Sequence, residues 1–207
     1  MARWFLVRHG ETDWNIEGRA QGQTDTPLNE TGRLQAQRVG LRLAGIDFAA
    51  IYASDLPRVT ETASPIVTGR ALSIQALPAL REKRYGEWEG LSYKEVEARY
   101  PDLFKRLFQE DIHFAPPDGE SDADVYERVA AATDRLKAVH CGDDNVLIVA
   151  HGGSLRAMMV KLLKMPAEYM WRFKLANGSL SVVSLYEDGG VTLDLLNDTH
   201  HLGGSVE

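Results

Sequence analysis

Val146-Leu147-Ile148-Val149-Ala150 is the stretch that most narrows what this chain can become. Five apolar residues in a row leave neither face of a strand for water. Such a run belongs in the interior of a parallel sheet covered on both sides. It passes directly into His151-Gly152-Gly153, and a helix is expected from Ser154 to about Lys164. A second apolar run, residues 4–7, ends at Arg8-His9-Gly10 and also suits a buried strand. Ile51-Tyr52-Ala53 is a third strand candidate, and residues 72–76 are a weaker one.

Helical patterns lie between these runs. Ala36, Val39, Leu43 and Ile46 recur at helical spacing over residues 30–46, where Asn29 or Thr31 can cap the start. Residues 57–69 read as a helix with Pro57 in its first turn and Gly69 at its end. Val125, Val129, Ala132, Leu136 and Val139 mark the clearest helix, over residues 122–140. Residues 179–186 and 191–196 form a closing hairpin around Glu187-Asp188-Gly189-Gly190. Strands alternating with helices predict an α/β fold of three α/β/α layers with a mostly parallel central sheet. Residues 1–207 are expected to form one domain. Residues 83–120, richer in aromatics, charges and prolines, read as short helices and loops inserted in it.

Composition excludes several classes of function. A net charge of −7 argues against nonspecific nucleic-acid binding, which needs a basic face, and against anchoring to anionic lipid. An anionic small substrate remains compatible, because a few convergent cations in a cleft outweigh the mean charge. No run of 18 apolar residues exists, so no membrane span is expected. The four apolar residues between Arg3 and Arg8 are too few for a signal peptide. Cys141 is the lone cysteine and cannot form an internal disulfide, which fits a reducing compartment. A soluble, cytoplasmic protein is expected.

Two histidines occupy equivalent places. His9 and His151 each follow an apolar strand and precede glycine, which permits close backbone approach to a ligand. Ligands of such folds bind beyond the carboxyl ends of strands. Arg8 adjoins His9, and Arg58 lies just past the strand at 51–53. Two guanidinium forks match the oxygens of a phosphate. A neutral imidazole can attack phosphorus, so phosphohistidine on His9 would divide the displacement in two. Arg8, Arg58 and a protonated His151 would stabilise the charge on the transferring group, with no metal or other cofactor. The departing alkoxide needs a proton; Glu82 is a candidate to supply it, and spacing alone does not choose it over Glu87 or Glu89. Asn15 is a candidate neutral donor to the phosphate.

These residues resemble the histidine phosphatase superfamily, the phosphoglycerate-mutase-like family, over nearly the whole chain. Arg8-His9-Gly10-Glu11-Thr12 with Trp14-Asn15 carries the first motif, and Gly22 through Asp25 with Pro27-Leu28 and Thr31-Gly32 the segment after it. Ser54-Asp55-Leu56 with Arg58 and Thr62-Ala63 carries the second. Leu80-Arg81-Glu82 with Gly86, Trp88 and Glu89-Gly90 carries the third, and Ala150-His151-Gly152-Gly153 the fourth. The resemblance implies His9 as nucleophile, His151 as the second active-site histidine, and Arg8 and Arg58 as phosphate ligands. It singles out Glu82 as the proton donor. It places Asn15, Gln21, Gly22 and Gly152 at the phosphate site, under an inserted 83–120 region. It implies a small phosphorylated metabolite as substrate, with a homodimer a common arrangement.

The chain is short after the third motif, like the small phosphatase branch. Gly119-Glu120-Ser121 and Asn197-Asp198-Thr199-His200-His201-Leu202 also resemble that branch. A metal-independent phosphomonoester phosphatase is therefore expected. Two alternatives are a cofactor-dependent phosphoglycerate mutase and a non-catalytic phospho-ligand binding module; the latter predicts erosion of the catalytic set, and none is present. His113 and His140 read as solvated surface residues. Residues 199–207 read as a tail packing near the cleft. Trp14, Tyr85, Trp88 and Tyr93 are candidate walls of the substrate pocket.

Overall fold

A computed structural model describes residues 1–107, 109, 111–140 and 142–203. Cys141 and the last four residues of the tail lie outside the described residues. Six strands, β1 (Ala2–Arg8), β2 (Ala50–Ala53), β3 (Ile74–Ala76), β4 (Asn145–Ala150), β5 (Leu180–Leu185) and β6 (Val191–Asp198), form one sheet in the order β3-β2-β4-β1-β5-β6. The first four are mutually parallel, and the β5–β6 hairpin adds to β1 antiparallel.

The apolar runs are explained by the layers on either face. Along β4, Val146, Ile148 and Ala150 enter one core, and Leu147 and Val149 enter the other. Trp4 and Leu6 of β1 join the first core, while Phe5 and Val7 join the second. Both faces are buried, so hydrophobic alternation disappears. Among the helices, α1 (Asp13–Ile16) is a short turn after β1. Helices α2 (Glu30–Arg42) and α3 (Pro57–Val67) cover one face with Val39, Val59, Ala63 and Ile66. Helices α6 (Asp122–Val139) and α7 (Gly152–Leu162) cover the other with Val125, Val129, Leu155 and Met158.

Asn29 rather than Thr31 caps α2, its side chain accepting from the Gly32 amide at 2.8 Å. The helix expected from Ser154 begins two residues earlier, at Gly152. His151 takes the extended backbone of an N-cap, and its amide donates to Ser154 Oγ at 3.2 Å. The glycine pair therefore belongs to the first helical turn, where amides have no partner within the helix.

The 83–120 segment contains α4 (Tyr93–Arg99) and α5 (Pro101–Arg106). It gathers a small core of its own around buried Trp88, Val96 and Phe114. His140 departs from expectation. It is buried, bonded through Nε2 to the Tyr52 hydroxyl and through Nδ1 to Asp144 Oδ2, each at 2.9 Å. A lone histidine after a helix carries no periodic signal of burial; only the docking of α6 beside β2 creates it.

Candidate active site

Neighbouring strand ends build the site. The ladder runs on past the strands: the His9 amide donates to the Ala150 carbonyl at 3.0 Å, and the Ser54 amide to the Val149 carbonyl at 3.1 Å. His9, Ser54 and His151 therefore emerge side by side at the carboxyl edge of β1, β2 and β4. The imidazoles of His9 and His151 lie 5.2 Å apart, centroid to centroid, which is close to one inter-strand step.

The proton on His9 can be placed from its neighbour. Nδ1 lies 2.7 Å from the Gly10 carbonyl oxygen, which can only accept. Nδ1 therefore carries hydrogen, and Nε2 keeps its lone pair. Burial, then the charges of Arg8 and Arg58, hold the ring well below the ordinary imidazole value. His151 is fully buried and Nε2 lies 2.9 Å from Ser54 Oγ. Burial and the charges of Arg58 and Arg8 also hold it well below the ordinary range. The protonated His151 expected from sequence thus requires a bound dianion to offset two nearby guanidinium groups.

A cavity of about 280 Å³ opens beside His9. Arg8, Asn15, Gln21, Gly22, Arg58, Glu82 and Gly152 all line it, so most of the residues expected at the site converge there. His151 is set behind this wall, against His9 and Ser54. Arg8 donates to the Leu175 carbonyl at 2.6 Å, and burial brings it down to about 10. Arg58 donates to the carbonyls of Gly22 and Thr24 at 2.7 and 2.9 Å. Gly22 presents that carbonyl at a φ of 55°, a left-handed backbone that favours glycine. Among the described residues, Nε of Arg8, Nε of Arg58 and Nδ1 of His151 are buried with no hydrogen-bond partner. Buried polar groups are normally satisfied, so two unpartnered guanidinium nitrogens on the cavity lining, with a third such atom on His151 behind it, fit a polar ligand.

Asn15 spends its side-chain oxygen on the cap of α1, accepting from the Thr12 amide at 3.1 Å. Its amide nitrogen is the end that can meet a phosphate. Gln21 is buried, its oxygen accepting from Thr26 at 2.7 Å.

Geometry separates the three glutamates. Glu89 accepts from the amides of Gln23 and Tyr85, and Glu87 is exposed and bonded to Tyr100. Glu82 alone of the three faces the cavity, its carboxylate accepting from the Gly153 amide at 3.0 Å and the Lys83 amide at 2.8 Å. A Cβ on Gly153 would lie 2.2 Å from Glu82 Oε1, so this approach needs glycine. The negative charge of Glu82 acts on Arg8, Arg58 and Arg156.

Sequence reasoning missed two arginines. Arg156 of α7 lines the cavity, stacks 4.8 Å from the Trp171 ring centroid and donates to the Phe173 carbonyl. Its only sequence signal is its place one turn past His151-Gly152-Gly153. Arg128 of α6 donates to the carbonyls of Ala79, Arg81 and Glu82 and pairs with Glu120, which holds the backbone carrying Glu82.

Of the four aromatics expected at the wall, Tyr85 and Tyr93 line the cavity, whereas Trp88 is core and Trp14 packs on Gly90. Trp171 lines it unforeseen. The described part of the tail docks behind the site, with His201 bonded to the Gly178 carbonyl. Among the described residues no cluster of three or more His, Cys, Asp or Glu side chains could hold a metal ion, and no helix is long and apolar enough to cross a membrane.

A sequence model of the histidine phosphatase superfamily (branch 1) matches residues 4–199, and the chain belongs to that superfamily. Among its relatives, phosphoserine phosphatase 1 of Hydrogenobacter thermophilus is 35% identical, with 98% of this chain and 95% of that one covered. The adenosylcobalamin/alpha-ribazole phosphatase of Escherichia coli is 32% identical over 94% of this chain and 95% of its own length. The solved structure of Bacillus stearothermophilus YhfR shares the fold at a TM-score of 0.89 and 34% identity, covering 98% of this chain and all of that one.

Proposed function

We propose that this chain is a phosphoric monoester hydrolase that works by two displacements at His9. Its Nε2 attacks phosphorus; the N–P bond forms as the P–O ester bond breaks. Glu82 gives the departing alkoxide its proton, then takes one from the water that cleaves the N–P bond and releases phosphate. Arg8, Arg58, Asn15 and Gly152 hold the phosphoryl oxygens, with Gln21 and Gly22 shaping that cradle. His151 joins them by gaining a proton as the dianion binds. The placement of the His9 proton carries this reading: Nδ1–H on the Gly10 carbonyl leaves Nε2 as a free base. The relatives of nearly equal length that are named phosphatases of phosphoserine and of alpha-ribazole support a small phosphorylated metabolite as substrate.

Residues 1–207 are read as one domain whose 83–120 segment covers the site, since Tyr85 and Tyr93 reach the cavity from it. A cytoplasmic location is part of the reading and rests on the single cysteine. The test is acid- and base-quenched turnover of a 32P-labelled ester. An acid-labile, base-stable label on His9 is expected, with phosphate as the product. Incubation with 3-phosphoglycerate separates the mutase reading: rapid 2-phosphoglycerate formation with little free phosphate would make the enzyme a mutase.

A further inference from the structure

A second cavity, of about 510 Å³, adjoins the phosphate cavity and shares Tyr85, Tyr93 and Trp171 with it. Beyond those three rings its apolar lining is Phe104, Leu107, Ile112 and Phe114, set among charged side chains. Trp171 is fixed at the junction by its indole N–H, which donates to Asp122 Oδ2 at 2.6 Å, and by Arg156 stacked on its ring. The two spaces therefore lie on either side of a shared aromatic edge. A phosphoryl group held by Arg8 and Arg58 would direct its ester substituent along that edge.

The charge at this cavity decides which substituent fits. Two cations, Lys83 and Arg172, stand against three carboxylates, Asp111, Asp122 and Glu168. Lys83 is committed to Asp122 at 2.8 Å, and that pair is almost wholly out of water. Asp111 is paired with Arg106, and Arg172 lies over the Tyr169 ring. Among the described residues the carboxylates of the lining outnumber its cations, which disfavours a further carboxylate, whereas the aromatic and aliphatic lining favours apolar surface leaving water.

We propose that this second cavity is the leaving-group subsite, and that it takes phosphomonoesters of bulky apolar alcohols, alkyl or aromatic, in preference to esters of small carboxylate-bearing alcohols. This rests on the phosphatase reading above. The phosphate cradle supplies the common recognition, and the second cavity ranks substrates by the apolar area they bury.

The test compares kcat/KM for ethyl, n-hexyl and 2-phenylethyl phosphates with that for phosphoserine. The three alcohols differ little in basicity, so chemical leaving ability is nearly constant across them. Each methylene taken from water is worth roughly fourfold, so n-hexyl phosphate, with four more than ethyl phosphate, should exceed it by about tenfold or more even with half of them buried. Ile112→Glu places a charge in the subsite and Ile112→Trp fills it; each should shrink the hexyl-to-ethyl ratio at least several-fold. Competitive inhibition by inorganic phosphate identifies variants that retain a folded phosphate cradle, and only those are compared. Equal kcat/KM for hexyl and ethyl esters, a ratio unmoved in both folded variants, or phosphoserine above n-hexyl phosphate would overturn the proposal. Loss of hydrolysis with every ester would instead sink the phosphatase reading and this one with it; hydrolysis without apolar preference sinks this one alone.

Discussion

In the proposed mechanism, His9 and Glu82 divide the chemistry between a base that must be unprotonated and an acid that must release and recover a proton. Burial, with the flanking charges of Arg8 and Arg58, keeps His9 unprotonated, and the Gly10 carbonyl fixes its one proton on Nδ1. His9→Ala should lower kcat/KM by a factor on the order of a thousand or more, several kcal/mol in barrier. It should also abolish the phosphohistidine label while the circular dichroism spectrum persists. Activity surviving within about tenfold would rule out covalent catalysis by this residue. Glu82→Gln keeps the shape and hydrogen-bonding reach of the side chain but cannot donate or accept the proton. Alkyl phosphates, whose alkoxides need protonation, should then suffer far more than 4-nitrophenyl phosphate. A plot of log kcat against leaving-group pKa should steepen; an unchanged slope would argue against an acid role.

The elements matter at this site mainly through their ends. Helix α7 begins at Gly152, so its first-turn amides face the site, and Glu82 anchors on the one from Gly153. The positive end of a helix suits a carboxylate there. Gly153→Ala would put a methyl group 2.2 Å from Glu82 Oε1. The glutamate can swing aside, so unfolding temperature should change little. Turnover of alkyl esters should nonetheless fall at least tenfold, because the acid no longer sits where the leaving oxygen departs. From the other side, α6 supports the same glutamate through Arg128. Arg128→Ala removes the ion pair to Glu120 and the donors to the carbonyls of Ala79, Arg81 and Glu82. A cost of about 2–4 kcal/mol follows for a pair mostly out of water. Chemical denaturation should show that loss, and the leaving-group slope should steepen as in Glu82→Gln. A stability loss with an unaltered slope would reduce Arg128 to a purely structural prop.

At the scale of the whole molecule, the site taxes stability in acid. His9 and His151 are buried as neutral rings, both held well below the ordinary value of 6.5. In the unfolded chain they return to that value. Above it neither state binds protons at these rings, and they contribute nothing to pH dependence. As pH falls below 6.5, the unfolded state takes up protons that the native state refuses, so stability declines. The slope approaches about 1.4 kcal/mol per pH unit for each ring until the native values are reached. The denaturation midpoint should therefore drop between pH 7.5 and 5.5. Much of that drop should vanish in a His9→Gln, His151→Gln double variant. The depressed carboxylates, such as Asp55 and Asp124, titrate below this window and do not interfere. Equal midpoints at the two pH values would show that the rings are not buried neutral.

The strands and helices were legible in the sequence because burial on two faces and on one face write different periods into a chain. The unbroken apolar run of β4 could only be an interior strand, and the 3-4 stepping of α6 could only be a helix with one buried side. Arg8, His9, Arg58 and His151 could be singled out because the ends of such strands are where ligands bind. Glu82 was not separable from Glu87 and Glu89 by spacing. Its assignment depends on which carboxylate meets the amide at the start of α7, a contact spanning 71 positions of sequence. Arg128, Arg156, Trp171 and the buried His140 were silent for the same reason. Local periodicity reports whether a side chain is turned inward. Which distant group it then meets, and hence its charge, its proton and its partner, is decided only when the layers close.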